Sequence, residues 1–285
     1  MAVAGRATPV RGAQTASRAI VWIAVVAGAL TMVIPFLWMV STSLKTDAQA
    51  FMWPPRVLPW PPQWRNYPEA WSIAPFGRFF FNSAVVSLSV MGMSLLLNSL
   101  AAFGFAKFQF RGAHVLFMAV LATMMIPGQI TMIPCFLLMK RLGWLDTYAG
   151  LAVPGFASAF GIFFLRQFMI TIPNDYLDAA RMDGASELTI WRRIIMPLAK
   201  PAIATLSIFT FMGAWNDFLW PLIVVKSDEM RTLPLAISAL STGHYVMSWP
   251  LLMAGACFVV MPVIVVYIFA QRFLVEGIAL GGIKG

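Results

Sequence analysis

Six long apolar stretches, at 20–40, 79–102, 115–138, 148–165, 201–220 and 251–270, limit what this chain can become. Each approaches the roughly 20 apolar residues that a helix needs to cross about 30 Å of hydrocarbon. The stretch 201–220 holds one charged residue, Asp217, near its far end, and the others hold none. A charge at the centre of a span costs about 2.5–3.5 kcal/mol on insertion scales, so this is the pattern spanning demands. Lipid offers no partner to a free backbone amide or carbonyl, which makes each span a helix. Composition agrees: 60% of the residues are hydrophobic and 11% charged, where soluble domains carry about 25% charged. The expectation is an all-α integral membrane protein with six transmembrane helices, multi-pass in the cell membrane.

The net charge of +9 comes from basic residues in short segments between the spans. Membrane topology and anionic headgroups account for that placement, and nucleic acid is not an expected partner. Arg6, Arg11 and Arg18 precede the first span, which puts segment 1–19 in the cytoplasm, and six spans return the C-terminus there. On that orientation the cytoplasmic segments 1–19, 103–114, 166–200 and 271–285 hold 12 Lys and Arg, against 8 in the external segments 41–78, 139–147 and 221–250. The first apolar run, about 21 residues, exceeds the 7–15 of a signal peptide. The small triplet Ala48-Gln49-Ala50 lies well past its end, so the run reads as a retained anchor. Cys135 and Cys257 sit alone in apolar stretches as small hydrophobes, and His114 and His244 are isolated, so no metal-ligand spacing exists.

Between the first two spans, Trp53-Pro54-Pro55, Trp60-Pro61-Pro62, Trp64 and Tyr67-Pro68 predict an ordered external loop without continuous helix. Its aromatic residues suit either a cap at the membrane interface or a ligand surface. Pro127, beside Gly128, and Pro134 predict a kink or break in the third span. Asn82, Asn98, Gln129, Asn216 and Asp217 are polar positions in or near spans. Their ordinary use is hydrogen bonding between helices; Asn82, Gln129, Asn216 and Asp217 are the candidates for a substrate pathway.

The connection 166–200 carries the most specific pattern. Pro173, Asp175 and Asp178 favour the start of a short helix, and Gly184 a stop. Ser186 can cap a second helix, with Arg192 and Arg193 at its end and Pro197 just past it. On that helix Leu188, Trp191 and Ile195 share one face. Such a face packs either on the chain's own helices or into a groove on a separate cytoplasmic protein, and the pattern alone does not choose.

Asp178-Ala179-Ala180, three intervening residues, Gly184, nine further residues and then Ile194-Ile195-Met196-Pro197 resemble the EAA loop of ABC-importer membrane subunits. The central Asp183-Gly184-Ala185 is present, while Asp178 stands for the usual Glu and Met196 for the usual Leu. The shorter carboxylate puts one polar contact with the ATPase in doubt. The resemblance extends over about 20–285. Ala214-Trp215-Asn216-Asp217-Phe218, Trp220-Pro221-Leu222, Thr232-Leu233-Pro234-Leu235 and a tail from Gln271 to Gly285 are similar to carbohydrate permeases of the maltose and glycerol-phosphate type.

The resemblance implies a type I ABC importer transmembrane domain over 20–285 with its coupling loop at 174–197. It implies a permease for a sugar or oligosaccharide, with glycerol phosphate or another polyol derivative as the alternative solute. The implied partners are a second permease, two ATP-binding subunits, an extracytoplasmic solute-binding protein and membrane lipid. ATPase coupling falls on Asp178, Ala179, Ala180, Asp183, Gly184, Ala185, Trp191, Ile194 and Pro197, and a further tail contact on Gly281, Gly282 and Lys284. The sequence contains no G-x-x-x-x-G-K-[ST] phosphate cradle, so ATP and Mg belong to the partners and this chain is not itself an enzyme. An ATP-independent channel or scaffold is the remaining class.

Overall fold

A computed structural model describes residues 10–241 and 248–282, with the side chains of 18, 20–241, 248–269 and 271. Among the described residues the chain is helical and contains no strand. In order the helices are α1 (Val10–Ser43), α2 (Asp47–Ala50), α3 (Asn66–Ile73), α4 (Phe76–Lys107), α5 (Ala113–Thr123), α6 (Gly128–Arg141), α7 (Tyr148–Ala152) and α8 (Ala159–Ile170). They continue with α9 (Asp175–Met182), α10 (Glu187–Ile190), α11 (Met196–Leu198), α12 (Lys200–Trp215), α13 (Leu219–Val224), α14 (Leu233–Ser241) and α15 (Trp249–Gly282). A π-helical turn, Trp191–Ile195, joins α10 to α11, and Val153–Gly155 is a 3-10 turn after α7. Two compact units divide the described chain, one within Met1–Ala70 and Met247–Cys257, the other within Trp71–Val246 and Phe258–Gly285.

Three helices, Ile20–Ser43, Phe76–Lys107 and Trp249–Phe269, are each long and apolar enough to cross a bilayer. Three bent pairs complete the candidate spans: α5 with α6 at 97°, Tyr148–Gly155 with α8 at 42°, and Glu187–Leu198 with α12 at 83°. The first break is the one Pro127 predicts: α5 stops at Thr123, and Pro127 precedes α6 as its N-cap. Pro134, by contrast, is accommodated inside α6.

Two interruptions inside expected spans, one at 153–158 and one after Trp215, correct the helix bounds read from hydropathy. The stretch 148–165 is not one helix, because Pro154 and Gly155 interrupt it and Ser158 caps a fresh start, its Oγ accepting the Gly161 amide at 2.9 Å. Asn98 of α4 supports the interruption, accepting the Ser158 N–H at 3.1 Å while donating to Ser94 Oγ at 2.7 Å. The stretch 201–220 ends as a helix at Trp215, with a break before α13. An unbroken apolar run conceals such breaks, because hydropathy reports transfer from water and not backbone conformation.

In the first unit, α1 is uncovered: none of its most apolar window is buried. The Trp- and Pro-rich loop beyond it is ordered, with Gln63 N–H bonded to Leu44 O at 2.8 Å and Asn66 Nδ2 to the Ser43 and Lys45 carbonyls at 2.8 and 2.9 Å. Trp53, Trp60 and Trp64 stay exposed. In the second unit, α4 packs along α8 and α12, and a buried cluster including Phe103, Leu165, Met169, Leu177, Ile190, Ile195 and Leu206 joins them to the 174–197 loop.

Candidate functional site

The loop 174–197 is built from local signals. Asp175 and Asp178 occupy the first turn of α9, where the helix dipole favours a negative charge. Gly184 ends the helix at φ +79°, and the amides of Gly184 and Ala185 reach back to Arg181 O and Ala180 O at 3.0 and 2.9 Å. An added Cβ at Gly184 would meet nothing within 4 Å. The glycine is therefore required by the left-handed backbone and not by crowding. Ser186 then caps α10, its Oγ accepting the Thr189 N–H at 3.3 Å.

Arg181 closes this hairpin. Its Nη1 donates to Asp178 Oδ1 at 2.9 Å, while Nε and Nη2 donate to the two oxygens of Glu187 at 2.8 and 3.2 Å. The Glu187 contact is the bidentate fork that suits a guanidinium and a carboxylate. Sequence reasoning missed Arg181 and Glu187. Only the Asp178–Arg181 spacing of three is a helical signal, and the second pair exists because the Gly184 turn folds α10 back. At the base of the loop, Lys107 from the end of α4 donates to Ile172 O at 2.5 Å and Asn174 Oδ1 at 3.0 Å.

The loop has two faces. Leu177, Ile190 and Ile195 are fully buried against Leu165, Met169 and Leu206, with Ala180, Ala185, Trp191 and Ile194 partly buried beside them. On the other side Tyr176, Met182 and Leu188 are exposed, Met182 by 89% and Leu188 by 63%. The sequence places Leu188, Trp191 and Ile195 on one face; the π turn revises this. In an i→i+5 turn residues five apart face the same way, so Ile195 joins Ile190 inside and Leu188 is left outside. The turn closes with the Met196 N–H on Trp191 O. Pro197 lies within the helix Glu187–Leu198 and not beyond it.

The polar candidates separate. Asn82 is fully buried, and its amide is used within the protein, Nδ2 on the Glu229 and Arg231 carbonyls at 2.7 and 2.8 Å and Oδ1 accepting Tyr148 OH at 2.6 Å. Gln129 is exposed in the first turn of α6. Asn216 is exposed and bonds back to Met212 O at 2.9 Å. Asp217 accepts the Trp220 N–H at 3.3 Å and lines a cavity of about 300 Å³ with Val86, Val90, Gly155, Gly213 and Trp220. That cavity forms where the breaks at 153–158 and 216–218 face α4. The aromatic residues flanking Asp217 are anchors: Trp215 Nε1 donates to Val259 O and Trp220 Nε1 to Gly150 O, each at 3.0 Å. In the tail, Gly281 and Gly282 end α15, and Lys284 lies outside the described residues.

A membrane-type helical chain carrying such a loop has known counterparts. Residues 94–279 match the family of binding-protein-dependent transport system inner membrane components. The chain belongs to that family. Among relatives of this permease, the arabinooligosaccharides transport system permease protein AraQ of Bacillus subtilis (strain 168) is 39% identical over 208 residues, 73% of this chain and 74% of that one. The sn-glycerol-3-phosphate transport system permease protein UgpE of Shigella flexneri serotype 5b (strain 8401) is 34% identical over 206 residues, 72% and 73% of the two chains. The permease also superposes on a chain from the crystal structure of a bacterial ABC transporter involved in the import of the acidic polysaccharide alginate. The TM-score is 0.80 at 26% identity, covering 95% of this chain and 99% of that one. A second chain, from an alginate ABC transporter in complex with an alginate pentasaccharide-bound periplasmic protein, has TM-score 0.64 at 15% identity over 91% and 95%, and shares the fold. The permease is thus a transporter component, and its 174–197 loop lies within the matched region.

Proposed function

We propose that this chain is one membrane-spanning half of an ATP-driven importer for a sugar or oligosaccharide. It crosses the inner membrane six times, three spans being the bent pairs, with both termini and the 174–197 loop in the cytoplasm. The observation that carries the reading is the two-faced loop. Its inner face is fixed in the permease core, and its outer face presents Tyr176, Met182 and Leu188 to a groove on an ATP-hydrolysing subunit. A second permease and an extracytoplasmic solute-binding protein complete the assembly, and the ATPase subunits hold ATP and Mg²⁺. When those subunits close, the docked loop moves with them and shifts the spans between outward and inward access. Gly281 and Gly282 at the end of α15, together with Lys284 outside the described residues, supply a second contact to the ATPase pair.

For the solute, the relatives named for arabinooligosaccharides support a neutral carbohydrate, and those named for glycerol phosphate support a second reading. The cavity beside Asp217 favours the first, because its lining holds a carboxylate and no basic side chain. A phosphorylated solute would want convergent Arg or Lys there. Uptake of labelled arabinose oligomers against labelled glycerol phosphate separates the two.

The coupling role is tested with Gly184→Asp. The variant is expected to reach the membrane at the normal level and to lose ATP-dependent uptake while ATP hydrolysis by the assembled complex persists. Unchanged uptake would sink the assignment.

A further inference from the structure

We propose that the cavity beside the start of α5 binds an anionic phospholipid headgroup. The cavity measures about 730 Å³ and is lined by Arg111, His114 and Arg166 above the rings of Phe105 and Phe117, with no Asp or Glu among its lining residues. Topology accounts for basic residues in the 103–114 segment, but not for how Arg166 is held. Its Nε donates to Phe105 O at 3.1 Å, and its guanidinium carbon sits 4.0 Å above the Phe117 ring. Phe117 is buried and packs against Phe105 at 5.5 Å between centroids. Two contacts thus fix the plane of the guanidinium while its terminal nitrogens remain for a ligand. A guanidinium fixed in this way suits the geometry of a phosphate.

The rest of the ligand is read from the neighbouring helix. Val115, which also lines the cavity, and Leu116 and Met118 just past it on α5 are exposed apolar side chains. An occupant anionic at one end and apolar at the other fits both features at once, the headgroup on the arginines and an acyl chain along α5. The cavity lies at the same end of α4 as the coupling loop, since Lys107 ties that end to Ile172 and Asn174. On the orientation proposed above, on which this inference rests, that is the inner-leaflet headgroup level. There each Lys or Arg adds attraction to anionic lipid.

The test uses the whole importer complex in nanodiscs of phosphatidylcholine with increasing phosphatidylglycerol, and native mass spectrometry counts the lipid retained. Both leaflets carry the same mixture, so binding does not depend on which way the chain faces, and a wrong orientation would leave this measurement intact. The wild-type complex is expected to retain phosphatidylglycerol over phosphatidylcholine, and Arg166→Gln to weaken that retention roughly fivefold. Arg111→Gln, in an exposed turn, gives a similar loss without touching the Phe105 and Phe117 contacts. The pair Lys140→Gln and Arg141→Gln, outside the cavity, is expected to change nothing. An equal loss in that control pair, equal retention of the two lipids, or displacement of phosphatidylglycerol by inorganic phosphate at similar concentration would each overturn the proposal. The last would assign the cavity to a free anion. Wild-type occupancy of the site by an acidic segment of a partner subunit, seen as protection of Arg166 with no lipid retained, would overturn it as well.

Discussion

Arg181 joins the two helices of the 174–197 loop through Asp178 on its own helix and Glu187 on the next. Exposed ion pairs contribute about 0–1 kcal/mol to stability, so its use is geometric: the fork to Glu187 fixes how far α10 folds back over the Gly184 turn. Arg181→Glu or Glu187→Arg alone is therefore expected to lower uptake while shifting the melting temperature little. The double variant, which restores opposite charges, is expected to recover most of the uptake; no recovery in transport assays would remove the clip from the coupling path. Asp146 is a different case, a non-glycine residue at φ +61° whose carboxylate accepts the amides of Lys226 and Ser227 at 2.9 and 3.1 Å. Burial works against its charge, and the bonds from Lys226 and Ser227 together with the nearby Lys226 ammonium outweigh it, holding the carboxyl below its usual range. A depressed folded value means the stabilisation is present above the unfolded value, about 3.9, and is lost as pH falls through the folded one. Asn tolerates the left-handed backbone as Asp does, so Asp146→Asn isolates the charge. Its thermal destabilisation is expected to be constant from about pH 5 to 8 and to shrink below about pH 4; a gap that widens on acidification would refute the assignment.

At the scale of elements, the signals that were legible were those with a backbone cause. Gly184, Ser186 and Pro127 each dictate a conformation by themselves, and α9, the cap of α10 and the break before α6 follow from them. The interruptions at 153–158 and 216–218 were hidden inside apolar runs, and they depend on supports from elsewhere in the fold. Asn98 receives the amide freed at Ser158, and Trp215 is pinned by Val259 O. Gly150 and Gly161 belong with them. A Cβ at Gly150 would stand 2.1 Å from Trp144 O, and one at Gly161 would stand 2.3 Å from Asn98 Nδ2, contacts that local sequence cannot announce. The π turn was equally silent, although Pro197 lacks an amide hydrogen for the α-helical bond to Arg193 O and so weakens the case for regular helix there. In sequence Asn82 is a pathway candidate whose ordinary use is hydrogen bonding within the protein, and in the fold Tyr148, Glu229 and Arg231 occupy its amide.

For the molecule as a whole, exposure divides by partner. The stretch 20–37 of α1 is apolar and exposed, which suits lipid or a second permease. The exposed Tyr176, Met182 and Leu188 lie on a loop otherwise carrying Arg, Asp and Glu, a mixed surface that suits a protein groove. Met182→Asp with Leu188→Asp is expected to leave the amount of permease in the membrane unchanged. The same change should strip the ATPase subunit from it during purification, read as the ratio of the two bands. Full retention of the ATPase would move the docking surface elsewhere.

The 83° bend between Glu187–Leu198 and α12 has a mechanical consequence. The loop helix is about 18 Å long and meets the next nearly at a right angle, as the arms of a bell crank do. A thrust along the first arm reaches the second broadside. On the orientation proposed above, small travel of the loop beneath the membrane would become sideways tilt of α12 within it, about a fulcrum at Ala199 and Lys200 between Pro197 and Pro201.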